Sequence, residues 1–328
     1  MIDTESGGGL RVGIVGAGGV ARRHAGTLAV MPDVALVGVT DPDAERAEDL
    51  AGAVGATPAR DLDALLARGL DAVWVCVPPF AHGEVEERVA AAGVALFVEK
   101  PLGLDVAAAE RVAAAVATAG VPTSVGHHWR SSTAVARARG LLAGRTVRLV
   151  SATWLDKVPP VPWWARRGSS GGQVVEQAVH VLDLARLLAG EVTAVHAVAD
   201  DAPPDGGDVD SATAGTLRFA GGAVGTLAAT CRLGWKHRAG VELYADDLAL
   251  TVTEEQLAVR DGEGSWSVEV DPAEARTAAD RAFVDHVTGR EPSGSGVLVD
   301  YAEALRTHRL ACALSESVAS GAPVVLGA

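Results

Sequence analysis

A chain of 328 residues with 48% hydrophobic content is long enough for about two domains and apolar enough to bury sizeable cores, which excludes intrinsic disorder. A formal net charge of -14 argues against nucleic acid or an anionic membrane as partner, since either would be repelled over most of the surface. No uninterrupted apolar run approaches the roughly 20 residues that a membrane span needs, so the protein is expected to be soluble.

Residues 1–9 are acidic and glycine-rich, with neither the basic nor the apolar region of a secretory signal, and are expected to form a flexible tail. Cys76, Cys231 and Cys312 are odd in number and far apart. They suit neither a disulfide framework nor a CxxC metal site, and no metal is expected; a reducing cytoplasm fits them.

From residue 10 to 126, short β-branched runs alternate with amphipathic alanine-rich runs, the pattern of a parallel sheet covered by helices. Strands are expected at 11–15, 35–40, 56–57, 72–77, 95–98 and 122–125, with helices between them, for example at 84–92 and 106–119. The run Ala72-Val73-Trp74-Val75-Cys76-Val77 is continuously apolar, as a strand buried on both faces requires.

The first strand leads into Gly16-Ala17-Gly18-Gly19-Val20-Ala21, a GxGxxA element followed by a helical run. Gly16 permits a tight turn, Gly18 lets backbone approach a pyrophosphate, and Ala21 lets the helix pack close to the sheet. The helix N-terminus then offers free N–H donors to an anion. Asp41 closes the next strand, where a carboxylate accepts from ribose hydroxyls and repels a 2′-phosphate; this favours NAD, with NADP open through Arg46.

Only three lysines occur in the chain, and Lys100 follows a predicted strand in Glu99-Lys100-Pro101. Ligands of open parallel sheets bind outside the carboxyl ends of strands, and a lysine there can be retuned for proton chemistry as arginine cannot. A plain surface lysine is the bland alternative.

Beyond 126 the texture changes to longer strand-like stretches at 146–155, 193–199, 212–219, 223–232, 241–244 and 249–252. Turn signals at Gly221-Gly222 and Asp261-Gly262 suggest antiparallel pairing in an α+β domain over 127–328. Within it, Glu176, His180 and Asp183 lie on one face if 173–183 is a single helix. A carboxylate beside an imidazole fixes its tautomer and supports a general base. A routine surface pair is the alternative, and a metal set ranks lower because no second histidine lies at ligand spacing. Trp163 and Trp164 sit in a Pro-rich loop that suits a sugar face, a core or an interface. Closing helices are expected at 272–288 and 301–319, with their docking partner open between the two domains.

Taken together, Gly16-Ala17-Gly18-Gly19, Asp41-Pro42, the stretch 71–78 with His82, Glu99-Lys100-Pro101, Gly126 with Arg130, and the block 171–183 resemble the Gfo/Idh/MocA family of sugar and inositol oxidoreductases. That resemblance covers nearly the whole chain from Leu10. It implies a Rossmann domain, a second domain with an open, mostly antiparallel sheet, and a nicotinamide cofactor lying between them. It further implies Lys100 and His180 as the catalytic pair, with Glu176 where the family usually has aspartate and Ala178 where glycine is common. Cofactor contacts are implied at Gly16, Gly18, Gly19, Val20, Asp41, Val77, Pro78, His82, Glu99 and Lys100. Substrate contacts are implied at Lys100, His128, Trp129, Arg130, Trp163, Trp164, Glu176 and His180, with a polyol or sugar as substrate and a homo-oligomer as the assembled form. A non-catalytic dinucleotide-binding regulator and a redox-assisted glycoside-cleaving enzyme are the competing readings.

Overall fold

In the computed structural model, which describes residues 9–291 and 293–327, the apolar runs of the first third become β1 (Leu10–Val15), β2 (Val34–Thr40), β3 (Thr57–Pro58), β4 (Ala72–Val75), β5 (Ala95–Val98) and β6 (Thr123–Val125). Apart from Gly9, the tail expected over 1–9 lies outside the described residues. The six strands pair in parallel in the order β3-β2-β1-β4-β5-β6. Every residue of β4 and β5 is buried, which is why these strands are apolar without alternation. The chain reverses its direction of winding between β1 and β4, and the turns after these two strands form the switch point where such sheets bind ligands.

These strands belong to a unit comprising Met1–Gly103, Ala107–His128 and Arg276–Glu303. The helix Pro272–Val287 therefore belongs mostly with this early sheet, and its composition explains why. Phe283, Val284 and Val287 complete the core built on Trp74 and Phe97. Trp74 stacks on Phe97 at 5.5 Å, and Phe283 meets both rings edge-on at 5.3 and 5.8 Å. Such pairs add about 0.5–1.5 kcal/mol each beyond the area they bury. Arg281 on the same helix donates to both oxygens of Asp33, at 2.8 and 2.9 Å, and these bonds hold the Asp33 carboxyl down at about 2.

The second unit comprises Leu104–Val106, Trp129–Ala275 and Ala304–Ala328. Its strands are β7 (Val147–Leu155), β8 (Val192–Ala199), β9 (Ala212–Phe219), β10 (Val224–Thr230), β11 (Arg238–Ala245), β12 (Leu248–Thr253), β13 (Gln256–Asp261), β14 (Gly264–Glu269) and β15 (Val324–Val325). They form one open sheet in the order β14-β13-β12-β11-β7-β10-β9-β8-β15, antiparallel except between β10 and β7. The β13–β14 hairpin goes beyond the sequence expectation: β14 is a polar, largely exposed edge whose residues carry no burial pattern.

Along β9 and β10 burial alternates strictly, so one face of the sheet is packed and the other open. The helix Val179–Ala189, almost entirely buried, packs on β7 and β11, and the closing helix Tyr301–Ser320 adds Leu310, Ala311 and Leu314 to the same core. No helix among the described residues is long and apolar enough to cross a membrane.

Candidate active site

The glycine loop has the geometry its residue types predict. Gly16 sits at φ 93°, and a Cβ there would come within 2.3 Å of the Cys76 carbonyl oxygen, so the turn after β1 closes directly on the turn after β4. Gly18 and Gly19 are exposed, with nothing within 4 Å of a Cβ position, leaving backbone open at the start of the helix Gly19–Ala29. Val20 lies half-buried in the first helical turn, and Val77 and Pro78 are half-buried after β4.

Asp41 braces this loop. One carboxylate oxygen accepts from the Ala17 N–H at 2.7 Å and the other from the Asp43 N–H at 2.9 Å. Each oxygen retains acceptor capacity for a hydroxyl, so the residue can shape the turn and receive a ribose together. Arg46 pairs with Asp43 at 3.1 Å. These features fit a dinucleotide: open backbone donors on a helix N-terminus, with a carboxylate acceptor at the end of the second strand.

His82 is engaged by a neighbour on its own loop. Its side chain is buried with that of Glu86, at 2.5 Å, and Glu86 also accepts from the Gly83 N–H at 2.7 Å. The pair shapes the loop after β4 through His82 Nδ1.

Glu99 and Lys100 emerge half-buried from the end of β5. Glu99 accepts from the Lys100 N–H at 3.1 Å through one oxygen and meets His24 Nε2 at 3.0 Å through the other. Burial opposes its ionisation, but the His24 bond and charge, with Lys100 and His128 in support, pull the carboxyl down to about 2. His128 is half-buried. Burial pushes the Cys76 thiol up, with Glu99 and Asp280 adding to it, which leaves that cysteine a packing residue.

In the second unit, the block 171–183 is not one helix. A short helix Gln173–Glu176 ends at Gln177, and a new one starts at Val179. Glu176 therefore does not share a continuous helical face with His180, and its Oε2 accepts from Trp164 Nε1 at 2.6 Å. Asp183 is also diverted from the expected face: it accepts both guanidinium arms of Arg130, at 2.7 and 2.6 Å, and the Thr307 hydroxyl at 2.8 Å.

His180 is 6% exposed and sits against two indoles. Trp129 and Trp154 each stack on its ring at 5.7 Å, with interplanar angles of 10° and 21°. The two tryptophans also stack on each other at 6.0 Å, and the Lys236 ammonium lies 5.5 Å from the Trp154 ring.

Three residues expected at a substrate have protein partners of their own, the structural role left open for Arg130 and the core role left open for Trp164 among them. Trp129 is buried as a wall of the imidazole. Arg130 is buried in its pair with Asp183 and ties the segment His128–Ser131 to the helix that carries His180. Trp164 is fully buried against Val209 and Cys231, so its indole supports Glu176 and offers no free face. Trp163 and Glu176 are both half-buried.

Sequence reasoning overlooked Trp154, His24 and Asp280. Trp154 had a usable signal, a large aromatic on the inward period of a predicted strand. Asp280 had a weaker one, a carboxylate beside Ala279, Ala282 and Phe283 on a buried face. Among the described residues, no group of three or more His, Cys, Asp or Glu could hold a metal ion.

Residues 10–127 match the family model "Oxidoreductase family, NAD-binding Rossmann fold", and residues 143–251 match the GFO/IDH/MocA C-terminal domain. Inositol 2-dehydrogenase of Rhizobium meliloti (strain 1021) is 38% identical over 215 residues, covering 62% of this chain and 63% of that enzyme, just under two thirds of its length. Myo-inositol dehydrogenase Hyg17 of Streptomyces leeuwenhoekii is 34% identical over 231 residues, 67% of this chain and 69% of that one. Among solved structures, GenD2 from gentamicin A biosynthesis in complex with NAD superimposes with a TM-score of 0.81 at 25% identity, covering 98% of this chain and 97% of that one.

Proposed function

The chain belongs to the Gfo/Idh/MocA oxidoreductase family and binds NAD, and from that premise we propose that it oxidises a secondary alcohol of inositol, a sugar or a related polyol to the ketone. The observation that carries the reading is the retention of two proton-handling side chains, each in a built setting: Lys100 beside the ionised Glu99 carboxylate, and His180 in a cluster of three stacked rings with Trp129 and Trp154.

NAD, when bound, supplies the hydride acceptor. The open backbone of Gly18 and Gly19 holds the pyrophosphate, and Asp41 accepts from the adenosine ribose. Lys100 orients the reacting hydroxyl and stabilises negative charge on its oxygen, while His180 takes the proton. Stacking on both indoles keeps the imidazole from turning, so its orientation is set before substrate arrives. Glu176, which accepts from Trp164, and Trp163, which would cover a C–H face of the ring, stand on the substrate side in this reading.

The homo-oligomer is part of this reading. Tyr244, Leu149 and Val224 are exposed and aligned across β11, β7 and β10, forming an apolar row on the open face of the second sheet. The three cysteines are free, which supports a reducing cytoplasm.

The test is reduced-cofactor absorbance with NAD against inositols, hexoses and sugar acids, with product analysis. Stoichiometric NADH and ketone are expected from at least one polyol. Cleavage of a glycoside without net NADH would identify the redox-assisted route, and NAD binding without turnover of any substrate would identify a regulator; either would contradict the dehydrogenase.

A further inference from the structure

His24 lies five residues after Gly19 on the helix that opens from the glycine loop, and it points inward. Both of its ring nitrogens face carboxylates. Nδ1 is 2.7 Å from Asp280 Oδ1, and Nε2 is 3.0 Å from Glu99 Oε1. An ionised carboxylate only accepts hydrogen bonds, so a ring facing one on each side must carry both protons. The three residues come from distant parts of the sequence, with His24 and Asp280 separated by 256 positions.

The surroundings hold both carboxylates still. Asp280 accepts a further bond from Trp74 Nε1 at 2.9 Å, and Phe97 lies 5.1 Å from the His24 ring. Glu99 is fixed by His24 on one oxygen and by the Lys100 N–H on the other. A third side is closed by Gly126, where a Cβ would stand 2.5 Å from Glu99 Oε1, which explains a glycine at the end of β6.

Packing alone does not require this arrangement. An apolar trio would close the same space at no greater cost, because buried ions lose solvation that their pairing often fails to recover. What an apolar trio could not do is present an ionised carboxylate to the residue that follows the strand end.

We infer that His24 is a positioning residue for Lys100: clamped between Asp280 and Glu99, it sets the Glu99 carboxylate that holds the Lys100 backbone. Among the described residues, the charged and titratable groups in the neighbourhood of Glu99 include His24, Asp280, Lys100, His128, Cys76 and, toward Cys76, Arg23. Burial opposes charge on His24, yet Asp280 and Glu99 raise it to about 10, in keeping with a doubly protonated ring. Through the helix Gly19–Ala29 the same clamp ties the phosphate-binding loop to Lys100. The inference rests on the role proposed above for Lys100.

Because the chain has three lysines, Lys100, Lys157 and Lys236, reductive ¹³C-methylation labels few enough sites to resolve each by NMR. Full-length wild type, His24→Gln, Gly126→Ala and Lys100→Met would be compared for kcat, KM, NAD dissociation constant and lysine resonances. A glutamine amide cannot bridge both carboxylates, and Gly126→Ala displaces Glu99 without touching His24. Both variants should lose about 10- to 100-fold in kcat, the scale of a small misplacement of a catalytic group. NAD affinity should hold, and the Lys100 resonance alone should move.

Folded His24→Gln with wild-type kcat and an unmoved Lys100 signal would overturn the inference. If His24→Gln does not fold, Gly126→Ala decides by the same criteria. Lys100→Met separates the two claims: its retained turnover would refute the role of Lys100 itself, whereas its inactivity beside fully active clamp variants would refute only the clamp.

Discussion

In the first unit the candidate ammonium stands beside a carboxylate that is itself held by ions: His24 bridges Asp280 and Glu99, and Glu99 binds the Lys100 backbone. In the second unit the candidate imidazole is held by aromatic faces, with Trp129 and Trp154 stacked on His180. The difference follows from what each group must do. A cation that steadies negative charge gains from a fixed counter-charge nearby, whereas a base that must accept and release a proton gains from walls that fix its plane without adding charge. Ions belong to the second unit too, but one shell further out, where Arg130, Asp183 and Thr307 fasten the helix beneath His180.

That contrast can be broken from the aromatic side, where the largest loss of stability is expected. Trp154→Ala removes a buried indole and should cost about 3–5 kcal/mol of unfolding free energy. It also removes one of the two rings stacked on His180, so kcat should fall while NAD affinity, a property of the first unit, stays unchanged. A variant that loses NAD affinity in step with kcat would show that the indole acts through the fold as a whole.

From the ionic side the handle is pH. Asp280 and Glu99 overcome the burial penalty and raise His24 from 6.5 to about 10, so its stabilising contribution is complete below 6.5 and lost as pH rises through about 10. Against its own burial penalty, Glu99 is lowered from 4.5 to about 2 mainly by His24, so its contribution is present above 4.5 and lost as pH falls toward about 2. The stability gap between wild type and His24→Gln in urea unfolding should therefore be widest from 4.5 to 6.5 and narrow in strong alkali. A gap that stays constant into alkali would mean that the clamp is not ionic.

Much of this was legible in the sequence because it is encoded locally. Apolar runs of strand length at β4 and β5, the glycines at 16 and 18, and the acidic end of β2 each report their surroundings within a few residues. The break between Glu176 and Val179 was not legible, because neither proline nor glycine marks it and the residues at it, Glu176, Gln177 and Ala178, are good helix formers. The burial of Trp164 was hidden because its partners, Val209 and Cys231, lie far along the chain while its neighbours read as an exposed Pro-rich loop. The His24 clamp was hidden for the same reason at greater range, since no local pattern tells a solvated histidine from one whose carboxylates arrive 75 and 256 positions later.

The central claim is that Lys100 and His180 carry out the alcohol chemistry on NAD. It is tested most directly by NADH formation from the same polyol in wild type, Lys100→Met and His180→Ala, with NAD binding measured on the same preparations. Each variant should lose about 10²- to 10⁴-fold in turnover while binding NAD as wild type does. Wild-type turnover in either variant, with the fold intact, would contradict the account.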